Sequence, residues 1–343
     1  MSTVRSVRRA LATALLASVV VAAAHAREDR KAVKLATLAP KGSSYHKSLL
    51  ALAERWRAAP DGGVKLTLYP DGSMGGEADM VRKMRVGQIQ AAMLTVSGLV
   101  EIEPSTGALQ NLPLMFRSLD EVAYVREKLR PALEKKFEDK GFVCLFWGDV
   151  GWAKYFSKQP ILRPDDLKQV KLFTLPGDAF QVDLMKSLGL QPVPLEPTDI
   201  LTGLETGMVD AVPITPFYAQ IFQFYRPAPH MLDLEWAPLV GAGVMLKKVW
   251  DGYPPALQQA LRAAAETAGT EIVARNRVEN DEAVEAMKKR GLTVHPVTDE
   301  VREQWRRWIE PIYSKLRGTE IPADTFDEVL ATLAELRSGT SAK

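Results

Sequence analysis

One cysteine, Cys144, serves all 343 residues, so no disulfide can form within the chain. It lies in the apolar run Phe142-Val143-Cys144-Leu145-Phe146-Trp147, which reads as a buried and inert thiol. Histidine is scarce too. His25, His46, His230 and His295 have no partner at i,i+4 and no cysteine neighbour, so no zinc motif is present. The glycine-rich stretch Asp71-Gly72-Ser73-Met74-Gly75-Gly76-Glu77 lacks both G-x-G-x-x-G and a Gly-Lys-Ser/Thr ending. It reads as a turn. No G-x-S-x-G elbow occurs, and no nucleophile, base and oxyanion donors converge in the pattern, so the chain is not expected to be an enzyme. Lysine and arginine exceed the acids by only two, and no basic stripe is interleaved with aromatics. A nucleic-acid surface is thereby excluded. Repeats and low-complexity tracts are missing, and neither a cofactor nor a resident metal is expected.

The one long apolar run stands at the start. Arg5, Arg8 and Arg9 precede Ala10 to Ala24, and Ala24-His25-Ala26 forms a small-residue cleavage site. A membrane span needs roughly 20 apolar residues, and this run is shorter. Residues 1–26 therefore read as a cleaved export signal, and the mature chain as periplasmic without a stable membrane anchor. Cleavage removes three arginines and no acids, taking the formal charge from +2 to −1.

Beyond the signal, strands alternate with helices. Val33 to Thr37 reads as a first strand, and Ser43 or Ser44 caps a helix carrying Leu49, Leu50 and Leu52. Val64 to Tyr69 alternates as a half-buried strand, and Gln90 to Thr95 and Gly141 to Trp147 follow as two more. Such alternation implies right-handed βαβ units around a largely parallel sheet. The pattern restarts at Gly151, which implies a second α/β lobe. Leu239 to Lys247 is an isolated strand that returns to the first lobe. After Pro254-Pro255, Leu257, Leu261, Ala264, Ala268 and Ile272 recur at helical spacing, and the helix runs to about Lys289. A helix that long is expected to span both lobes. The expected division is lobe I at residues 27–147 plus about 239–272, and lobe II at residues 148–238 plus about 273–343, with the C-terminal helices buttressing lobe II.

Residues 151–216 carry a specific frame: Pro160, Ile161, Pro164, Asp166, Leu167, Lys171, Leu172, Gly189, Leu195, Leu204, Thr206, Gly207, Val209 and Asp210. It resembles the second domain of the solute receptors of tripartite ATP-independent periplasmic (TRAP) transporters. Tyr69-Pro70-Asp71-Gly72-Ser73-Met74-Gly75, Asn111-Leu112-Pro113-Leu114-Met115-Phe116 and the Met245…Trp250…Pro254-Pro255-Ala256-Leu257 series resemble further motifs of that family. The resemblance spans residues 33–310. It implies a periplasmic-binding-protein-like α/β fold, a ligand cleft between the lobes and TRAP membrane subunits as partners.

The chemistry departs from the family. Phe173 stands where the resemblance places a carboxylate-gripping arginine, Ala153 where many members place a second basic residue, and Ile214 where an asparagine often stands. Burying a carboxylate against an apolar wall without a partner costs several kcal/mol. A neutral or hydrophobic, lipid-like solute would instead gain about 25 cal/mol per Å² of apolar area removed from water. Strand ends supply the remaining candidates: Thr95, Val96 and Ser97 on one wall, Ile214, Phe217 and Tyr218 on the other, with Trp152 and Trp236 near the hinge. The expectation is an apolar ligand against Trp152, Phe173 and Ile214, with Ala153 leaving space. A second reading keeps a small organic acid and binds it through a cation held by Asp210, Asp233 and Glu235. A third recruits the fold for an enzyme.

Overall fold

The computed structural model describes residues 32–176 and 179–340, so the export signal read at residues 1–26 lies outside the described residues. The first lobe begins with β1 (Ala32–Thr37), α1 (Ser44–Arg57), β2 (Lys65–Tyr69), α2 (Glu77–Arg85) and β3 (Ala91–Thr95). β1 lies between β2 and β3 and is parallel to both. In α1, Ser43 caps the first turn by accepting from the His46 N–H, and Arg55 and Arg57 lie in the last turn, where they complement the helix dipole. Its buried residues Leu49, Leu52 and Trp56 recur on one face.

A short α3 (Val96–Leu99) and a 3₁₀ turn (Pro104–Leu109) lead into α4 (Leu119–Asp139). β4 (Phe142–Ser157) then runs for 16 residues, well past the Trp147 end expected from the pattern. Up to Ala153 it pairs antiparallel with the returning strand, which spans Ala237–Leu246. From Lys154 onward it pairs with strands of a second sheet. One strand thus belongs to both sheets, and the hydrogen-bonded path continues through it.

The second sheet adds β5 (Lys171–Thr174), α5 (Ala179–Ser187), β6 (Gln191–Pro194), α6 (Ile200–Thr206), β7 (Ala211–Ile214), α7 (Pro216–Ile221) and β8 (His230–Leu232). β5 is parallel to β6 and β7, and β7 lies antiparallel to the end of β4. β9 (Ala237–Leu246) returns to the first sheet, antiparallel between β3 and β4, as the isolated strand implied. α8 (Lys247–Trp250), α9 (Pro255–Lys288), β10 (Thr293–His295), α10 (Asp299–Leu316) and α11 (Ala323–Thr340) complete the chain.

α9 has 34 residues, which gives a length of about 50 Å. It packs on α1 in the first lobe, on β4 and on α7 in the second. Its buried stripe changes character along the way, from Leu257, Leu261, Ala265, Ala268 and Ile272 to Asn276 and Asn280. The two asparagines fall where β4 bulges between Asp149 and Gly151. A bulge leaves ladder groups unpaired, and buried carbonyls must find donors. Asn276 donates to the Asp149 carbonyl, and Asn280 donates to that of Val150 at 2.9 Å. Close approach requires Gly269, because a Cβ there would stand 2.9 Å from the Phe146 Cβ and 3.1 Å from the Trp147 carbonyl.

Three apolar clusters fill the molecule. One lies between α1, α9 and the first sheet, and another lies on the α6 and α7 side of the second sheet. The largest runs under α4, α10 and α11. Cys144 is buried within it, as its apolar surroundings imply, and burial pushes its thiol pKa well up. The last helix differs from the sequence reading, which placed residues 273–343 with lobe II. Phe326, Val329 and Leu333 of α11 join the cluster of Val122, Val125 and Leu129, so α11 packs on α4 of the first lobe. Arg337 fixes the contact by donating to both oxygens of Glu121, each at 2.8 Å, and to the Met115 carbonyl. Helical spacing marks an apolar face but does not say which partner it meets.

Candidate functional site

In open α/β sheets, ligands gather beyond the carboxyl ends of parallel strands. In this chain those ends include the segments after β1 and β2 in the first lobe and after β6 and β7 in the second. They meet in a seam between the lobes. A Cβ on Gly76 would lie 2.6 Å from the Glu196 Oε2, and one on Gly72 would lie 3.6 Å from the Thr198 Cγ2. Tyr45, in the first turn of α1, packs on Phe217 at 5.2 Å and on Tyr218 at 5.9 Å between ring centroids. Residues distant in sequence thus form one aromatic contact across the seam.

The first-lobe wall is built around Glu77. Its carboxylate accepts from the Thr95 N–H at 2.8 Å, the Thr95 hydroxyl at 2.7 Å and the Gly98 N–H at 2.8 Å. Burial pushes its pKa up, against the downward pull of these three hydrogen bonds. The arrangement pins the turn from β3 into α3 and commits the Thr95 hydroxyl proton to Glu77. Val96 is fully buried in the first-lobe cluster with Leu94 and Leu99, so its side chain is withdrawn from the seam. Of the three candidates on this wall, Ser97 retains a half-buried side chain with no commitment to Glu77.

The second-lobe wall is less polar. Phe173 is 9% exposed and belongs to the cluster of Ile200, Leu204 and Val212, against which Ile214 also packs. Ala153 is buried, and its carbonyl accepts from the Trp236 N–H at 3.1 Å. Trp152 is half-buried against the largest cluster. Trp236 packs on Tyr155, Trp305 and Trp308, with α10 supplying the last two. Phe217 is buried, and its N–H donates to the Asn280 side chain at 3.1 Å. Burial holds the Tyr218 hydroxyl pKa far above its usual value, and the Glu77 charge adds to the shift. Tyr218 is thus a neutral donor on the side of the seam facing Glu77.

Four residues that the sequence reading did not select are prominent in this region. The Thr215 Oγ1 is buried without a hydrogen-bond partner, and the buried Tyr45 hydroxyl faces the Asn276 side chain. Tyr45 follows β1 and Thr215 follows β7, so both stand at carboxyl ends of parallel strands, on opposite lobes. Glu77 is the third. The fourth, Lys154, lies in register with Ile214, one residue from the position where the family's basic residue aligns. Its side chain is only 14% exposed, and its ammonium pairs with Asp233. The strand-end rule could have found Tyr45 and Thr215, whereas Lys154 required the register of β4 with β7.

The carboxylates considered for a cation do not converge. Asp210 accepts from the Lys171 N–H at 3.1 Å and lies 3.9 Å from Lys158. Asp233 is held by Lys154, and Glu235 by Arg302 at 2.6 Å. Among the described residues, no group of three histidine, cysteine, aspartate or glutamate side chains could hold a metal ion.

Comparison with known proteins gives a consistent picture. The family described as bacterial extracellular solute-binding protein, family 7, matches residues 35–319. The C4-dicarboxylate-binding periplasmic protein DctP of Rhodobacter capsulatus is 25% identical over 298 residues, covering 86% of this chain and 88% of its own. The 2,3-diketo-L-gulonate-binding periplasmic protein YiaO of Escherichia coli is 28% identical over 245 residues, covering 69% and 72% respectively. Among solved structures, the sugar acid binding protein DctPAm of Advenella mimigardefordensis, in complex with galactonate, superposes with a TM-score of 0.82. It is 20% identical and covers 89% of this chain and 98% of its own, a likeness of fold.

Proposed function

Since the chain belongs to the bacterial extracellular solute-binding proteins of family 7, the periplasmic receptors of TRAP transporters, we propose that its cleft holds a small organic acid. Such receptors deliver small solutes to membrane subunits, and they are binding proteins rather than enzymes. The three relatives described above are named for carboxylic acids: a C4-dicarboxylate, a diketogulonate and galactonate.

The observation that carries this reading is a pair of buried hydroxyls on the two sides of one seam, Thr215 without a partner and Tyr45 beside the Asn276 side chain. An apolar ligand would leave the Thr215 hydroxyl unsatisfied, at about 1–3 kcal/mol. A carboxylate or hydroxyl oxygen would accept from it. Lys154 lies beside this wall with its ammonium held by Asp233, so a ligand carboxylate would draw on that charge by sharing it with Asp233, as a point cation rather than a bidentate fork.

The apolar reading retains one specific observation, Phe173 at the arginine position. Its magnitude is small. An aromatic side chain presents about 150–250 Å², so 9% exposure leaves on the order of 20 Å² to cover, worth about 0.5 kcal/mol. The stranded Thr215 hydroxyl outweighs that.

Calorimetric titration with a panel tests the proposal: C4-dicarboxylates, hexonates and hexuronates against long-chain alcohols and fatty acids. At least one short hydrophilic acid is expected to bind with a Kd of micromolar order or tighter. Tight binding confined to the long-chain compounds would overturn the reading.

A further inference from the structure

Sixty-five residues separate His230 from His295, and no local spacing links them. The fold brings them together. β8 and β10 pair in parallel, with Thr293 opposite His230 and His295 opposite Leu232, so the two histidines lie on one face of the second sheet. The Nδ1 of His230 and the Nε2 of His295 stand 3.1 Å apart, with ring centroids at 5.2 Å. Both side chains are half-buried, which leaves one side open to water.

We propose that this pair is a chelating site for a divalent transition-metal ion of the copper, nickel or zinc type. With metal–nitrogen bonds of about 2.0–2.1 Å, two nitrogens separated by 3.1 Å subtend roughly 100° at the ion. That angle lies between those of square and tetrahedral coordination. Each neutral imidazole offers one lone pair and carries its proton on the other nitrogen. Here the two available nitrogens are turned toward each other. Without metal, one ring must spend its proton in a hydrogen bond to the other. With metal, that proton moves to the far nitrogen of its ring and both lone pairs bind the ion.

Water completes the coordination on the open side. The ion would tie β10 to β8 and so fasten the strand that leads into α10. This role lies outside the interlobe seam, and it stands or falls independently of the ligand bound there.

The test uses the purified chain carrying a tag without histidine, stripped with chelator and titrated with Cu²⁺, Ni²⁺ and Zn²⁺ in a non-coordinating buffer. One equivalent is expected to bind. At about 100-fold excess over Kd, the melting temperature should rise by roughly 3–8 °C. His230→Gln and His295→Gln should each weaken binding at least tenfold, while His46→Gln leaves it unchanged. Nitrogen spectra of wild type labelled at histidine provide a readout that needs no variant. Zn²⁺ should shift the ring signals of His230 and His295 and leave those of His46 in place. Failure to saturate below roughly millimolar metal, or undiminished binding in both glutamine variants, would overturn the site.

Discussion

On the first-lobe side of the seam, Glu77 gathers two backbone N–H groups and a hydroxyl into one buried carboxylate. On the second-lobe side, Phe173 stands in an apolar cluster with Ile214 packed against it. One wall is held by directional bonds and the other by packing. Polar atoms that a wall spends on holding itself are lost to the ligand. Thr95 is spent in this way, while the partnerless hydroxyl of Thr215 is not. The availability of donors, rather than the polarity of the residue type, separates recognition from scaffolding here.

If the second-lobe wall is held by packing, Phe173→Arg should be the most damaging change. An unpaired charge in that cluster costs about 3–5 kcal/mol, and the melting temperature should fall by several degrees. Phe173→Leu should cost about 1 kcal/mol. Equal melting of the arginine variant and wild type would mean that residue 173 reaches open solvent and the comparison of walls is wrong.

On the opposite wall, Glu77→Ala strands the Thr95 and Gly98 amides and should cost about 2–4 kcal/mol. Glu77→Gln keeps one acceptor but turns an amide toward the Gly98 N–H, so a smaller loss of about 1–2 kcal/mol is expected. Thermal melts of the two variants check the order.

The same carboxylate sets a pH dependence. Its folded pKa is raised above the ordinary 4.5, so the folded state binds this proton more readily than the unfolded state. The cost of burying the charge is present above the folded pKa and is relieved as pH falls through it toward the ordinary value. The melting temperature of wild type minus that of Glu77→Gln should therefore grow as pH drops from 7 into that window. A difference that shrinks would show that hydrogen bonding outweighs burial at Glu77.

The fold was largely legible in the sequence. Alternation in Val64 to Tyr69, the Ser43 cap and the periodic Leu257, Leu261 and Ala268 face each declared an element through local chemistry. Sequence pattern ended β4 at Trp147, because Asp149 and Gly151 interrupt the apolar run, whereas a bulge and two asparagines from α9 carry the strand to Ser157. The site was legible only where alignment spoke. Strand-end logic selected Thr95, Ile214 and Tyr218, while the structure commits Thr95 to Glu77. Lys154 beside Ile214, and His230 beside His295, depend on long-range register, which no local pattern records.

Smaller effects sharpen the contrast on the ligand side. Tyr45→Phe and Thr215→Val each remove a hydroxyl while keeping shape. Each should weaken an acid ligand by roughly 5- to 30-fold, or about 1–2 kcal/mol, and Thr215→Val should do so with no loss of folding stability because no protein partner is stranded. Lys154→Met should lower affinity for the same acid by a similar factor and make the remaining binding less sensitive to salt.

The most direct measurement is native mass spectrometry of the purified protein, followed by chemical identification of the compound it carries. A small hydrophilic carboxylic acid, lost or reduced in the Tyr45→Phe and Lys154→Met variants, is the outcome that follows from the buried Tyr45 and Thr215 hydroxyls and the Lys154 ammonium shared with Asp233. A neutral, lipid-like compound retained at full occupancy in both variants would contradict it.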